Sequence, residues 1–223
     1  MIPPMNLLSA LLSIVFLSQL VAATPTPSQY GCPAQDDVLQ LPDGQSQLCV
    51  PPGEKPSRIL LGIGRQFYAC SPLNGSYAFA GAEAGLYDIS CDYGTSDFDT
   101  ISCDSYNEMS QDASVLMSKL LNPYTNGYLG TFSYVSTESG VSPEWNFTQL
   151  YPSVEFVIGT EVGRIPAPTS SQDIDWIQWT NIDGNLARTM FQVETKGGQA
   201  PDVCPFGSPD AYVPYVAQYW LFG

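Results

Sequence analysis

Apolar and polar side chains alternate with period two in short runs from Arg58 to the end of the chain. In RILLGIGRQFYAC (58–70), Ile59, Leu61, Ile63 and Phe67 share one face and only Arg65 interrupts it, which is strand spacing. The opposite face carries Gly62 and Gly64, where a second backbone or a bend has room to approach. SYAFAGA and GLYDIS predict two short strands, followed by LGTFSYVS, VEFVIGTEV, DIDWIQWTNI, LARTMFQVET and VPYVAQYW. The strongest local signal spans Ile174 to Glu194. There two strand-like runs flank Asn181-Ile182-Asp183-Gly184-Asn185, and a type I′ hairpin turn favours its Asp-Gly because both central residues need positive φ. On the second run Ala187, Thr189, Phe191 and Val193 share one face, with Arg188, Gln192 and Glu194 on the other.

One segment departs from this pattern. In EMSQDASVLMSKLL (108–121), Met109, Ala113, Leu116, Met117 and Leu120 form a helical stripe that Asn122-Pro123 ends. Many short strands, abundant turn residues and one short helix predict a mainly β fold, an antiparallel β-sandwich or barrel. No internal repeat is visible.

The N-terminus has a different character. Residues 1–23 read as a signal peptide, with an apolar stretch LLSALLSIVFLSQL followed by the small residues Val21-Ala22-Ala23. That stretch is shorter than the roughly 20 residues a membrane span needs. Residues 24–57, rich in Pro, Gly and Gln, predict an irregular arm pinned by Cys32 and Cys49. Residues 58–223 then form a single β-rich domain. A secreted protein, extracellular or associated with a cell wall, is the expected product.

Six cysteines follow the leader: Cys32, Cys49, Cys70, Cys91, Cys103 and Cys204. An even number in an oxidising compartment favours disulfides. With no Cys-x-x-Cys and no histidine, no zinc site is expected. Asn74-Gly75-Ser76 and Asn146-Phe147-Thr148 are N-glycosylation acceptors at Asn74 and Asn146. Seven basic residues stand against 22 acidic ones, a net charge of −15. Such a surface repels phosphate backbones and anionic membranes, so nucleic acid and, after leader removal, membrane are excluded as partners. A polar uncharged partner, polysaccharide or extracellular protein, fits better.

The missing histidine removes Ser-His-Asp and Cys-His catalysis. Ser-x-x-Lys and Gly-x-Ser-x-Gly are absent too. What survives is a carboxylate pair or tyrosine chemistry. Asp173 with Asp175, two apart on one strand face and roughly 7 Å from each other, is the first candidate pair, and Glu155 with Glu161 the second. Trp145 and Trp176 are candidate platforms for sugar rings, and Trp176 and Trp179 should point to opposite strand faces. The acidic stretch between Cys91 and Cys103 reads as a solvated loop, because it lacks the ligand order of a calcium-binding loop.

Gly64-x-Gln66-x-Tyr68-x-Cys70, Pro143-x-Trp145, the TKGGQAP run (195–201) leading to Cys204, and Val213-Pro214-Tyr215 are similar to motifs of a family of secreted proteins. That family is an uncharacterised domain of unknown function, widespread in filamentous fungi with bacterial relatives. Its members are often labelled malate dehydrogenase. The resemblance implies that Cys70 pairs with Cys204, leaving Cys32–Cys49 and Cys91–Cys103 as local bridges. It also draws Gln66, Tyr68 and Asp88 together as candidate lining of a polar pocket. Relatives often have histidine where this chain has Phe132. The dehydrogenase label fails on the residues: no histidine is available as base, and Gly62-Ile63-Gly64-Arg65-Gln66-Phe67 lacks the third glycine of a dinucleotide fingerprint. The expectation is a non-catalytic glycan- or protein-binding extracellular protein without cofactor or metal. A carboxylate-dependent carbohydrate-active enzyme is the alternative.

Overall fold

A computed structural model describes residues 32–71, 73, 75–112, 114–116, 118, 127–138, 140–147 and 155–223. Eight antiparallel strands follow one another in chain order: β1 (Pro56–Ser71), β2 (Ser76–Asp88), β3 (Tyr128–Thr137), β4 (Gly140–Asn146), β5 (Phe156–Ile165), β6 (Trp176–Gly184), β7 (Thr189–Gly197) and β8 (Ala211–Phe222). Each pairs with the next, and β8 pairs back onto β1 to close a barrel. The fold is therefore mainly β, and of the two predicted architectures it is the barrel. Every strand pair is antiparallel. The βαβ unit that dinucleotide binding requires is thus absent from the described residues.

Period-two alternation sorts the side chains into two cores. Leu60, Ala84, Leu86, Phe132, Trp145, Trp179, Met190 and Tyr219 come from seven strands and fill the barrel interior. Ile59, Leu61, Ile63, Phe191, Val193, Val216 and Trp220 point outward and are also buried, because other parts of the chain cover them. One cover is the helix α1 (Ser96–Gln111), which sets Phe98 and Met109 into the outer core. The other is the arm, whose Ala34 and Leu48 are buried. It crosses β5 so closely that a Cβ on Gly163 would collide with the Gln47 carbonyl. This double cover explains why β8 is buried on both faces from Tyr215 to Phe222.

Several expectations change. The two short strands at SYAFAGA and GLYDIS are one continuous β2. β4 was not predicted, and its Pro143 explains why. A proline lacks the ladder donor, but β4 meets β5 only from Glu144 to Asn146, so Pro143 faces no partner on that side. The β6–β7 hairpin exists, yet Asp183-Gly184 is not its two-residue turn. Both residues stay in β6 and pair with β5, while the Asn181 amide side chain closes a longer loop by donating to the Gly184 and Ala187 carbonyls at 3.1 and 2.6 Å.

The acidic stretch after Cys91 is helical rather than a loop. Thr95 caps α1 by accepting from the Phe98 amide, and Asp97 and Asp99 occupy its first turn, where the helix dipole favours negative charge. The helix thus begins twelve residues before the predicted stripe. Met109 belongs to its last turn and Leu116 is buried beyond it. Ala113, Met117 and Leu120 lie outside the described residues or their side chains do.

Candidate functional site

The cysteine pairing is partly non-local. Cys70 bonds Cys204, and Cys32 bonds Cys91, not Cys49. Cys49 and Cys103 are free and exposed, so neither local bridge forms. The arm is pinned instead by Cys32–Cys91 and by the Cys49 amide donating to the Gln178 side chain at 2.8 Å.

At one end of the barrel two ladders stop short, β2 pairing with β3 only from Glu83 to Tyr87 and β7 with β8 no further than Gly197 opposite Tyr215, which leaves a mouth. A cavity of ≈ 140 Å³ opens there, and Gln66, Tyr68 and Asp175 line it. Bulges aim its other walls. An extra residue in β2, where Phe67 faces Gly81 but Tyr68 faces Phe79, turns Phe79 toward the mouth. A second bulge, between Glu161 and Gly163 on β5, turns Arg164 inward opposite Ile177. Phe79 packs edge-on between Tyr68 and Tyr134, with centroids 6.0 and 5.2 Å away.

The polar groups of the mouth fall into two sets. One set is fully engaged. Arg164 donates twice to the Glu161 carboxylate, at 3.0 and 2.6 Å, and once to Asp175 at 3.1 Å. These bonds hold its pKa above the ordinary arginine value. Behind the cavity, the Tyr219 hydroxyl donates to the Gln192 side chain at 3.2 Å and shares a 2.9 Å hydrogen bond with Tyr215. Burial drives both phenols well above the usual tyrosine pKa, so they act as neutral hydrogen-bonding groups. Gln192 in turn donates to the Asp175 carbonyl at 2.9 Å.

The second set is at most partly engaged. Gln66 is only 6% exposed and lines the cavity, and its side chain makes no hydrogen bond to any described residue. The Tyr134 hydroxyl is likewise unengaged among the described residues, with its pKa pushed up to about 12, mainly by burial. Tyr68 donates to the Gly198 carbonyl at 2.7 Å, and burial with the nearby Asp175 charge lifts its pKa to about 12.

The other sequence-derived residues lie elsewhere. Asp88 sits beside Leu60, six residues along β1 from Gln66 and so about 20 Å away. Its carboxylate accepts from the Ser90 amide at 2.9 Å and faces Arg58 at 3.7 Å. Trp145 is fully buried inside the barrel against Phe132, Trp179 and Tyr219, so it is no platform and packs against no glycan. Trp176 does point to the opposite face from Trp179, but it is buried in the outer core. Asn146 is half-buried in β4, while Asn74 and Thr148 lie outside the described residues.

Asp173 and Asp175 do not form a catalytic pair. Asp173 is buried, accepting from the Thr169 hydroxyl at 2.6 Å and the Gly197 amide at 2.7 Å, where it organises the TKGG turn. Asp175 alone reaches the mouth, and Arg164 holds it. Glu155 lies just before β5 and Glu161 within it, six residues and about 20 Å along an extended chain, too far to act together. No group of three or more His, Cys, Asp or Glu that would hold a metal occurs among the described residues.

Sequence reasoning identified Gln66, Tyr68 and Asp175 but missed Phe79, Tyr134, Arg164, Gln192 and Gln199. The bulges that aim Phe79 and Arg164 have no signature beyond the glycines at Gly81 and Gly163.

Fold and site together define a closed eight-stranded antiparallel barrel with a small polar, aromatic-walled pocket at its mouth. The chain belongs to the DUF3455 family, described as proteins of unknown function, whose model matches residues 51–223 and so spans all eight strands. No curated protein and no solved structure matches it.

Proposed function

We propose that this protein is exported, works outside the cell or at its wall, and binds a neutral polyhydroxylated group, such as a terminal sugar of a polysaccharide, in the mouth of the barrel. The observation that carries the reading is Gln66: a carboxamide without a hydrogen bond to any described residue, lining a cavity with Tyr134 and Phe79. A sugar offers hydroxyls that satisfy the amide and a face of C–H groups that packs on an aromatic ring. The cavity's ≈ 140 Å³ is below the roughly 300 Å³ at which pockets for drug-sized ligands begin, which suits one ring rather than a long chain segment. Arg164 carries one positive charge against the two carboxylates it holds, so an anionic ligand meets no free cation there. The two disulfides and the leader-like residues 1–23 support export. The chemistry of the mouth supports binding over hydrolysis, because its two carboxylates, Glu161 and Asp175, are both paired to the one Arg164 guanidinium.

A neutral-glycan array with parallel reducing-sugar release tests this. Expected are binding to a subset of neutral glycans, a loss of roughly tenfold or more in Gln66→Ala, and no sugar release. Sugar release that disappears in Asp175→Asn with the fold intact overturns it, as does binding indifferent to Gln66→Ala and Tyr134→Phe.

A further inference from the structure

A second, larger cavity of ≈ 330 Å³ lies on the outer face of the barrel, where the arm, the start of α1, β7 and β8 meet. Tyr93, Phe98 and Trp220 form its aromatic wall, with mutual centroid distances of 5.2, 5.8 and 6.2 Å, and Leu39 of the arm adds an aliphatic side. Its charged lining is Glu194 and Asp99, with no lysine or arginine.

Glu194 reaches this place by an unusual route. The β7–β8 register shifts between Val193 and Lys196, and Glu194 takes φ 47, the one non-glycine residue with positive φ among those described. Such a conformation costs a non-glycine residue about 1 kcal/mol or more. The bulge sets two successive residues, Val193 and Glu194, onto the cavity wall, where strict alternation would turn one of them inward. The Glu194 carboxylate has no hydrogen bond or ion pair to any described residue. Burial raises its pKa most; of the two charges that bear on it, Lys196 lowers the pKa and Asp99 across the cavity raises it. The Lys196 ammonium is directed to Asp173, 3.7 Å away.

We propose that this outer cavity binds the cationic head of an amine or ammonium ligand that carries a compact apolar or aromatic body. Glu194 supplies the counter-charge, the three rings pack on the body, and their faces attract the cation. Its volume sits near the lower end of the range for small-ligand pockets, about 300–1,000 Å³. An anion would meet two carboxylates, and a neutral apolar ligand would leave Glu194 desolvated without compensation. The site is separate from the barrel mouth and does not depend on sugar binding there.

Isothermal titration of the intact protein with 2-phenylethylammonium, and with 2-phenylethanol as the uncharged control, tests this. The ammonium is expected to bind saturably, and the alcohol at least about tenfold more weakly. Glu194→Gly is the informative variant, since glycine accepts φ 47 without strain and the fold should be no less stable. It should lose at least tenfold in ammonium affinity while alcohol binding stays unchanged. Glu194→Gln, which keeps the side chain's size, should show the same selective loss. Absence of saturable ammonium binding, equal affinity for the alcohol, or undiminished ammonium binding by both variants overturns the proposal.

Discussion

At residue scale, Glu194 shows how one position carries opposing requirements. Its backbone is strained, its carboxylate is half-buried, and burial with Asp99 raises its pKa above the ordinary value of 4.5. A raised carboxyl pKa means the folded state holds the proton more tightly than the unfolded chain. Stability from this group is therefore present at low pH and is lost as pH rises from the unfolded pKa through the folded one. Glu194→Gln, which cannot ionise, should accordingly be more stable than the parent at pH 7. The difference should shrink as pH falls below about 4. Denaturant melts of both proteins at pH 3.5 and pH 7 measure it. A parent that is the more stable of the two at pH 7 would show that the carboxylate is stabilised by a partner.

At element scale, the two disulfides do different work. Cys70–Cys204 joins the far end of β1 to the segment before β8, within a barrel those strands already close. Cys32–Cys91 ties the arm, which has no strand pairing of its own, to the turn after β2. Loop-closure entropy assigns about 5 kcal/mol to the first and about 4 kcal/mol to the second as upper values. Removing the second by Cys32→Ala with Cys91→Ala should cost about 2–4 kcal/mol and free the arm first. Limited proteolysis should then cut within residues 32–55 while β1 to β8 resist. Equal protection of the arm in the variant would show that Ala34, Leu48 and the Gln178 contact hold it alone. The same contrast marks what could be read from sequence. Strands whose alternation is local, such as β1, β5 and β8, were legible. β4 was hidden by Pro143, and α1 by a buried face of Phe98, Ser102, Tyr106 and Met109 that has too few apolar residues to register. Disulfide pairing and bulges depend on which distant segments meet. Thus Cys32–Cys91 could not be derived locally, and most of the mouth's lining was missed. Trp145 failed as a platform because barrel closure places its strand face inward, which the run SPEW does not reveal.

At the scale of the whole molecule, net charge and closure act against each other. Closing β1 onto β8 removes the sheet edges that would otherwise template aggregation, so charge is not needed to guard them. Yet the chain carries −15, and a compact body of that charge repels itself. The titrating carboxylates show the direction. Glu194 and Asp37 are both raised, chiefly by burial and further by a neighbouring aspartate, with Lys196 partly offsetting the rise at Glu194, whereas Asp112 is lowered by its bonds to Ser114. Raised groups bind protons more tightly when folded, so their stability is lost as pH rises past their folded pKa values. Asp112 works in reverse, but it is fully exposed and its contribution is screened. The sum predicts greater stability at about pH 5 than at pH 7.5 in low salt. Salt at a few tenths molar shortens the screening length to several ångströms and should narrow the gap by stabilising the protein at pH 7.5 more than at pH 5. Thermal melts at both pH values, with and without salt, decide it. A melting temperature that rises from pH 5 to pH 7.5 at low salt would mean that the ion pairs of Arg58, Arg65 and Arg164 outweigh the repulsion among the remaining acids.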